Sequence, residues 1–379
     1  MKRAIVFTAV VAAAALATGV PVLGAARAQA RPTLQVTVLT SGLENPRGLA
    51  FGPDGRLYVA EGGTGGTAST VGQCPQVPGA GPYTGGMTAR ISRIDVHTGH
   101  RTTVVDGLPS STTSAAVGSF VSGVGDVAFL GHRLYAVEAG AGCSHGLAGT
   151  VNAVLRVDAQ HHRVTQVADL SAFLMSHPAA NPDLADFEPD GTWYSLVSAG
   201  GLLYAVEPNH QEVDTVTPGG HISRVIDVSQ TYPGNTNWQG PTGIVRDGEN
   251  FYLVNLNPFA PGSDGHASLW KLTDAGQLSH ITSGLTAAVG VAVHDGQIYA
   301  LEAFTGFFAP APSVAHTGMV VRLTRHGGWD PVVTGLSFPT AMTFGPDGNL
   351  YISNTGFGQP TNTAGEILRV DLTGTKNHD

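Results

Sequence analysis

Charge is scarce in this 379-residue chain: 12% of its residues are Asp, Glu, Lys or Arg, and the basic ones form no runs. A mildly acidic chain without basic runs carries no electrostatic footprint for nucleic acid or an anionic membrane surface, and neither is an expected partner. Cysteine is nearly absent, with Cys74 and Cys143 alone. No phosphate-cradling loop or His-Glu-x-x-His pair occurs, and no Cys/His cluster has zinc spacing. The most recognisable nucleotide-binding and metalloprotease chemistries are therefore not signalled. Long helical patterns are missing as well, because 51 Gly and 23 Pro punctuate the chain into many short elements.

The one long apolar run stands at the start. Lys2 and Arg3 precede an apolar stretch from Ala4 to about Leu23, and Ala28-Gln29-Ala30 forms a small-x-small cleavage site. Residues 1–30 read as a secretory signal peptide, which predicts a secreted, extracellular protein with no membrane insertion after cleavage. Losing Lys2, Arg3 and Arg27 with no acid moves the formal charge from −9 to −12. In an exported chain an even cysteine count favours a Cys74–Cys143 disulfide, and both residues sit in corresponding parts of the first two repeats. Free thiols and metal ligation are the alternatives.

Repetition is what the chain has in abundance. An apolar–aromatic pair recurs as Leu57-Tyr58, Leu134-Tyr135, Leu203-Tyr204, Phe251-Tyr252, Ile298-Tyr299 and Leu350-Tyr351. A unit recurring at roughly 40–50 residues signals a propeller or solenoid. Around each pair, Val-, Ile- and Tyr-rich runs bounded by Asp-Gly or Thr-Gly turns predict four antiparallel strands. The third repeat is the loosest, and residues 193–198 are taken as its opening strand in preference to 184–188. One outer strand is missing at the C-terminal end, and residues 34–40 supply the same cadence at the N-terminal end. The reading is all-β: a six-bladed β-propeller over residues 31–373, its last blade completed by the N-terminal strand, followed by a flexible tail at 374–379. A monomer is expected, since closure leaves few open strand edges.

Loop lengths are unequal in a directional way. Turns between strands one and two, and between three and four, are tight; the long segments follow strand two or lead into a new strand one. Both of those connections leave the same face of an up-and-down blade, which marks that face as the functional one.

Three residues past each aromatic stand Glu61, Glu138, Glu207, Asn255, Glu302 and Asn354. Four carboxylates and two amides at equivalent strand ends form a candidate polar ring, and carboxylate and amide oxygens are the ligands that a hard ion such as Ca²⁺ takes. The competing reading has each acid either pair with a third-strand base (Arg93, Arg156, Lys271, Arg322 or Arg369) or cap a strand end. On the long loops, His145, His177, His266 and His316 are candidate bases or ligands, and Trp238, Phe259, Phe304, Phe307 and Phe308 either line a small-molecule pocket or plug the top of the propeller. The recurrent tyrosines are expected to pack between blades.

The stretches at 45–63, 89–95, 220–229 and 338–356, together with the signal peptide, resemble the ScyD/ScyE family of exported, NHL-like six-bladed propellers over about residues 34–372. The resemblance implies fold and export; it brings no reaction and no catalytic set. A more distant resemblance, to calcium-dependent lactonases and gluconolactonase-like propellers, is to proteins that place Glu, Asn and Asp ligands at the channel mouth, and the Glu61/Asn255/Asn354 set offers those ligand types. The functional expectation is a binding or scaffold module that engages a small molecule or a protein through its loop-rich face. The alternative is a calcium-dependent hydrolase or lactonase.

Overall fold

The computed structural model describes residues 34–182, 184, 186–231, 240–256, 265–306, 315–356 and 364–372. The signal segment, the 374–379 tail and the aromatics Trp238, Phe259, Phe307 and Phe308 lie outside the described residues.

Each repeat folds as an antiparallel sheet in which consecutive strands are neighbours. Blade 1 holds β2 (Pro46–Phe51), β3 (Leu57–Glu61), β4 (Thr84–Ile94) and β5 (Arg101–Thr112), with the two-residue β6 (Val121–Ser122) added outside. Blade 2 holds β7 (Val124–Leu130), β8 (Arg133–Glu138), β9 (Ala153–Asp158) and β10 (Arg163–Asp169). Blade 3 holds β11 (Ser195–Ala199), β12 (Leu202–Glu207), β13 (Glu212–Val216) and β14 (Ile222–Asp227). Its first strand starts two residues later than expected. Blade 4 holds β15 (Pro241–Asp247), β16 (Asn250–Asn255), β17 (Ala267–Thr273) and β18 (Leu278–Leu285); blade 5 holds β19 (Ala288–His294), β20 (Gln297–Glu302), β21 (Gly318–Leu323) and β22 (Trp329–Leu336). Blade 6 takes β23 (Ala341–Phe344), β24 (Leu350–Asn354) and β25 (Gly365–Asp371), and β1 (Gln35–Leu43) pairs with β25 from Gln35↔Asp371 to Leu43↔Gly365. The N-terminal strand thus closes a six-bladed β-propeller. Two short helices, α1 (Leu170–Ser176) and α2 (Val228–Thr231), lie in connections that follow outer strands.

Second strands such as β3 and β24 are buried at every position, because each blade is covered on both faces by its neighbours. The apolar interior is accordingly divided among the blade interfaces. Among the described residues it forms six clusters, each shared by two adjacent blades in cyclic order. The recurrent tyrosines serve these interfaces: Tyr58 meets Phe129 at 5.0 Å between ring centroids, Tyr204 meets Phe251 at 4.4 Å, Tyr299 meets Phe344 at 5.2 Å and Tyr351 meets Phe51 at 5.1 Å. Such pairs add about 0.5–1.5 kcal/mol beyond their area burial.

First strands touch one another around the ring, β2 to β7, β11, β15, β19, β23 and back to β2. Two residues before the position opposite each tyrosine, they carry Gly48, Asp126, Ser195, Gly243, Gly290 and Ala341. Small side chains are demanded there. A Cβ on Gly48 would stand 1.7 Å from Asp126 Oδ1 and 2.6 Å from Asp126 Cα, and one on Gly243 would stand 2.9 Å from Gly290 Cα. Hydrogen bonds then tie blade to blade: Ser195 Oγ to Thr242 O, Thr242 Oγ1 to Ala288 O and Thr340 Oγ1 to Pro46 O, all 2.7 Å, and Leu196 N to Asp126 Oδ2 at 2.8 Å.

Gly48→Ala therefore pushes β2 off β7, and chemical denaturation is expected to show a loss of about 2–4 kcal/mol. A loss below about 0.5 kcal/mol would mean that the first strands are not in close contact.

Candidate functional site

The described ends of the long connections lie on one face, where the first strands begin and the second strands end. The axis at this face is spanned by two side chains. Arg47 at the start of β2 in blade 1 lies with its guanidinium carbon 5.5 Å from the ring centroid of Tyr194, which leads into β11 in blade 3. Blades 1 and 3 are not neighbours, so the pair meets across the axial channel. Arg47 is 7% exposed and donates to Val121 O at 3.0 Å. Burial lowers its pKa, and the Tyr194 ring and hydroxyl work in the opposite sense. Beside the pair is a cavity of about 20 Å³, lined by Arg47, Gly125, Thr192, Tyr194, Ser195 and Thr340 among others. That is room for about one water molecule. Asp126, next along the channel wall, accepts from Val127 N at 2.7 Å and from Leu196 N at 2.8 Å; burial nonetheless pushes its pKa up to about 7.

The six strand-end groups are where the repeat places them, and each has an oxygen that accepts a backbone N–H, although Glu138 Oε2 is buried without a hydrogen-bond partner. Glu61 Oε2 accepts from Glu44 N at 2.8 Å, Glu207 Oε1 from Thr192 N at 2.8 Å, Glu302 Oε1 from Thr286 N at 2.5 Å and Asn354 Oδ1 from Ser337 N at 2.9 Å. In each case the donor lies 15–17 residues earlier, where the chain enters the first strand of the same blade. Asn255 instead accepts from Ser268 N at 2.9 Å, and Glu138 from Ala139 N at 3.1 Å and Gly140 N at 3.0 Å. Burial raises Glu138 and Glu207 to about 8 despite these donors. Among the described residues, no three His, Cys, Asp or Glu side chains converge so as to hold a metal ion.

Pairing with third-strand bases is not what answers these acids. Register puts Arg93 opposite Tyr58, Arg156 opposite Tyr135, Lys271 opposite Tyr252, Arg322 opposite Tyr299 and Arg369 opposite Tyr351. Three residues along a strand is an odd step, so base and strand-end acid project from opposite sheet faces. Glu61 does meet a base, Arg101 at 3.4 Å, but from the fourth strand.

Cys74 and Cys143 form a disulfide, which fastens the loop after β3 to the loop after β8. Beneath it is a cluster that residue types and spacing did not single out. His145 Nδ1 lies 2.8 Å from Ser111 Oγ, His145 Nε2 lies 3.2 Å from Glu188 Oε2, and Tyr83 donates to Glu188 Oε1 at 2.6 Å. Order and elements mimic a nucleophile–imidazole–carboxylate relay. Ser111 and His145 are 0% exposed, however, so no substrate reaches the hydroxyl. The cluster clamps three loops together. Only His145 among the four residues was a candidate, since the others lie 34, 43 and 62 residues from it in the chain.

The remaining loop candidates divide. Phe304 is 3% exposed, packs on Phe338 at 6.3 Å and belongs to the apolar interface of blades 5 and 6. His316 is exposed with Nδ1 2.8 Å from Ser337 Oγ, His177 stacks on Phe173 at 4.5 Å, and His266 is exposed. They are not brought together.

No protein-family model matches the chain, and no curated protein matches it. Solved structures do. A putative oxidoreductase (glucose dehydrogenase) from Thermus thermophilus matches with a TM-score of 0.53 at 15% identity, over 89% of this chain and 100% of that one. A gluconolactonase from Xanthomonas campestris matches with 0.53 at 12% identity, over 89% and 90%. A Bacteroides thetaiotaomicron protein of unknown function matches with 0.54 at 13% identity, over 89% and 76%. At such identities the likeness is one of fold: this chain is a six-bladed β-propeller.

Two outcomes follow from the loop face. Asn354→Ala leaves the Ser337 N–H without its acceptor, and denaturant unfolding is expected to show a loss of about 1–3 kcal/mol. Replacing Cys74 and Cys143 by Ser opens a loop with a sequence separation of 69 residues, for which chain entropy predicts a loss of about 4 kcal/mol. Unchanged midpoints in both variants would show that the long loops are not anchored as described.

Proposed function

We propose that the chain is an exported binding or scaffold module of the ScyD/ScyE type, monomeric, which engages a small molecule or a protein through its loop-rich face. The observation that carries this reading is the Arg47–Tyr194 pair across the channel mouth. A metal-dependent hydrolase needs an open coordination position beside a converging acid or base. Here a permanently charged guanidinium projects into that place, and like charge disfavours a cation there. Each of the six strand-end groups that would ligate calcium gives an oxygen to a backbone N–H instead. What is left for recognition is the set of loops after β3, β8 and α1, fastened by the disulfide and by the Ser111–His145–Glu188–Tyr83 clamp. The disulfide is compatible with export, as is the N-terminal segment.

The calcium-dependent lactonase alternative draws on the fold shared with gluconolactonases and on the residue types at the strand ends. Both readings are tested on the mature protein with calcium titrated against chelator at fixed ionic strength. The binding-module reading predicts a melting temperature that does not respond to calcium and no hydrolysis of δ-lactones. A saturable rise, accompanied by lactone hydrolysis that Glu61→Gln or Asn255→Ala abolishes, would replace it with the hydrolase.

A further inference from the structure

Blade 3 contains a group of buried carboxyls that none of the foregoing uses. Strand pairing sets Glu207 opposite Glu212, Glu212 opposite Asp227 and Asp214 opposite Arg224. Residues two apart on a strand share a face, so all five side chains project from the same side of the blade. Glu207, Glu212 and Asp214 are each 0% exposed. Glu207 is answered by the backbone N–H groups of Thr192 and His210, and Asp227 by Ala180 N and Ser229 Oγ. Glu212 and Asp214 differ: no oxygen of either receives a hydrogen bond, although Arg224 Nη2 stands 2.5 Å from Glu212 Oε2.

Two carboxylates are acceptors only, and neither can satisfy the other. Burying both as anions beside one guanidinium leaves a net negative charge out of water, at a cost of several kcal/mol. A single retained proton removes the excess charge and supplies the missing donor. Arg224 links this pair to helix α1: it donates to His177 O and Pro178 O and lies 5.9 Å over the Phe173 ring. Leu170 and Leu174 of α1 join the apolar cluster of Trp193, Leu203 and Val216.

We infer that Glu212 and Asp214 share one buried proton, which keeps Arg224 bridged to α1 and makes that helix a strap released from blade 3 as pH rises. The charged and titratable groups facing the pair are Glu207 on β12, Arg224 and Asp227 on β14, and Glu188 and His210 on the adjoining turns. Trp193 Nε1 lies on the Asp214 side. Burial, then the neighbouring Asp214 charge, drives Glu212 upward; burial drives Asp214 upward, and Arg224 opposes it. A carboxyl raised on folding contributes its stability in full below the unfolded-state pKa, near 4. That contribution is lost as pH climbs through the range above it towards the raised folded value.

Hydrogen exchange of the α1 backbone amides in the full mature chain, corrected for intrinsic rates, tests this between pH 6 and pH 9. In the wild type, α1 protection should fall at least about tenfold further than that of β3, a change of about 1.4 kcal/mol in opening free energy. Asp214→Asn and Glu212→Gln should each keep α1 protected at pH 9. Equal protection of α1 at both pH values in the wild type, or equal loss in both variants, overturns the inference. Should the variants not fold, infrared spectroscopy of the wild type decides: a protonated carboxyl band at neutral pH that bleaches in parallel with α1 release supports it, and absence of that band refutes it.

Discussion

The structure depends on how closely six first strands approach one another around an axis. At that layer there is room for little more than a hydrogen or a methyl group, and Gly48, Gly243, Gly290 and Ala341 accept the limit. Ser195 adds one hydroxyl, and Asp126, the largest of the six, fits because Gly48 leaves the space opposite it. Once the strands are that close, each blade covers the next, and the apolar interior becomes six interfaces between neighbours. The alternation of tyrosines with partner phenylalanines across those interfaces then follows from geometry.

The same closeness shapes what chemistry is available. A narrow axis admits a few side chains from non-neighbouring blades, and here Arg47 and Tyr194 take the place. In four of the six blades the oxygens at the second-strand ends, near enough to the loops to steady them, accept N–H groups where the chain turns into the first strand. A buried N–H without an acceptor costs more than the bond contributes, so such positions favour Glu and Asn for structural reasons. The recurrence of an acid or amide at equivalent places thus has a mechanical origin, and variation among repeats is left to the long loops.

Fold was legible because its determinants are local and repeated. The pairs from Leu57-Tyr58 to Leu350-Tyr351 mark second strands, the Asp-Gly turns mark hairpins, and the missing last outer strand is found again at the other terminus. The site was less legible because its contacts join residues that no spacing rule connects. Glu61 shows residue type without partner: its acceptor role towards Glu44 N depends on how blade 1 is entered. Arg93 lies on the expected strand, yet register turns it to Tyr58. Arg47 and Tyr194 are 147 positions apart and meet only because the ring closes. His145 was visible as a loop histidine, whereas Ser111 on β5 and Tyr83 and Glu188 on two other loops become its neighbours only in the fold.

The central claim is that the strand-end oxygens pin loops and that Arg47 and Tyr194 occupy the channel mouth. A crystal structure of the mature protein grown in saturating calcium tests it most directly. The account predicts Glu61, Glu207, Glu302 and Asn354 on their backbone N–H partners, Arg47 against Tyr194, and no ion between them. An ion at the mouth, with any three of the six strand-end groups turned towards it and Arg47 displaced, would contradict it.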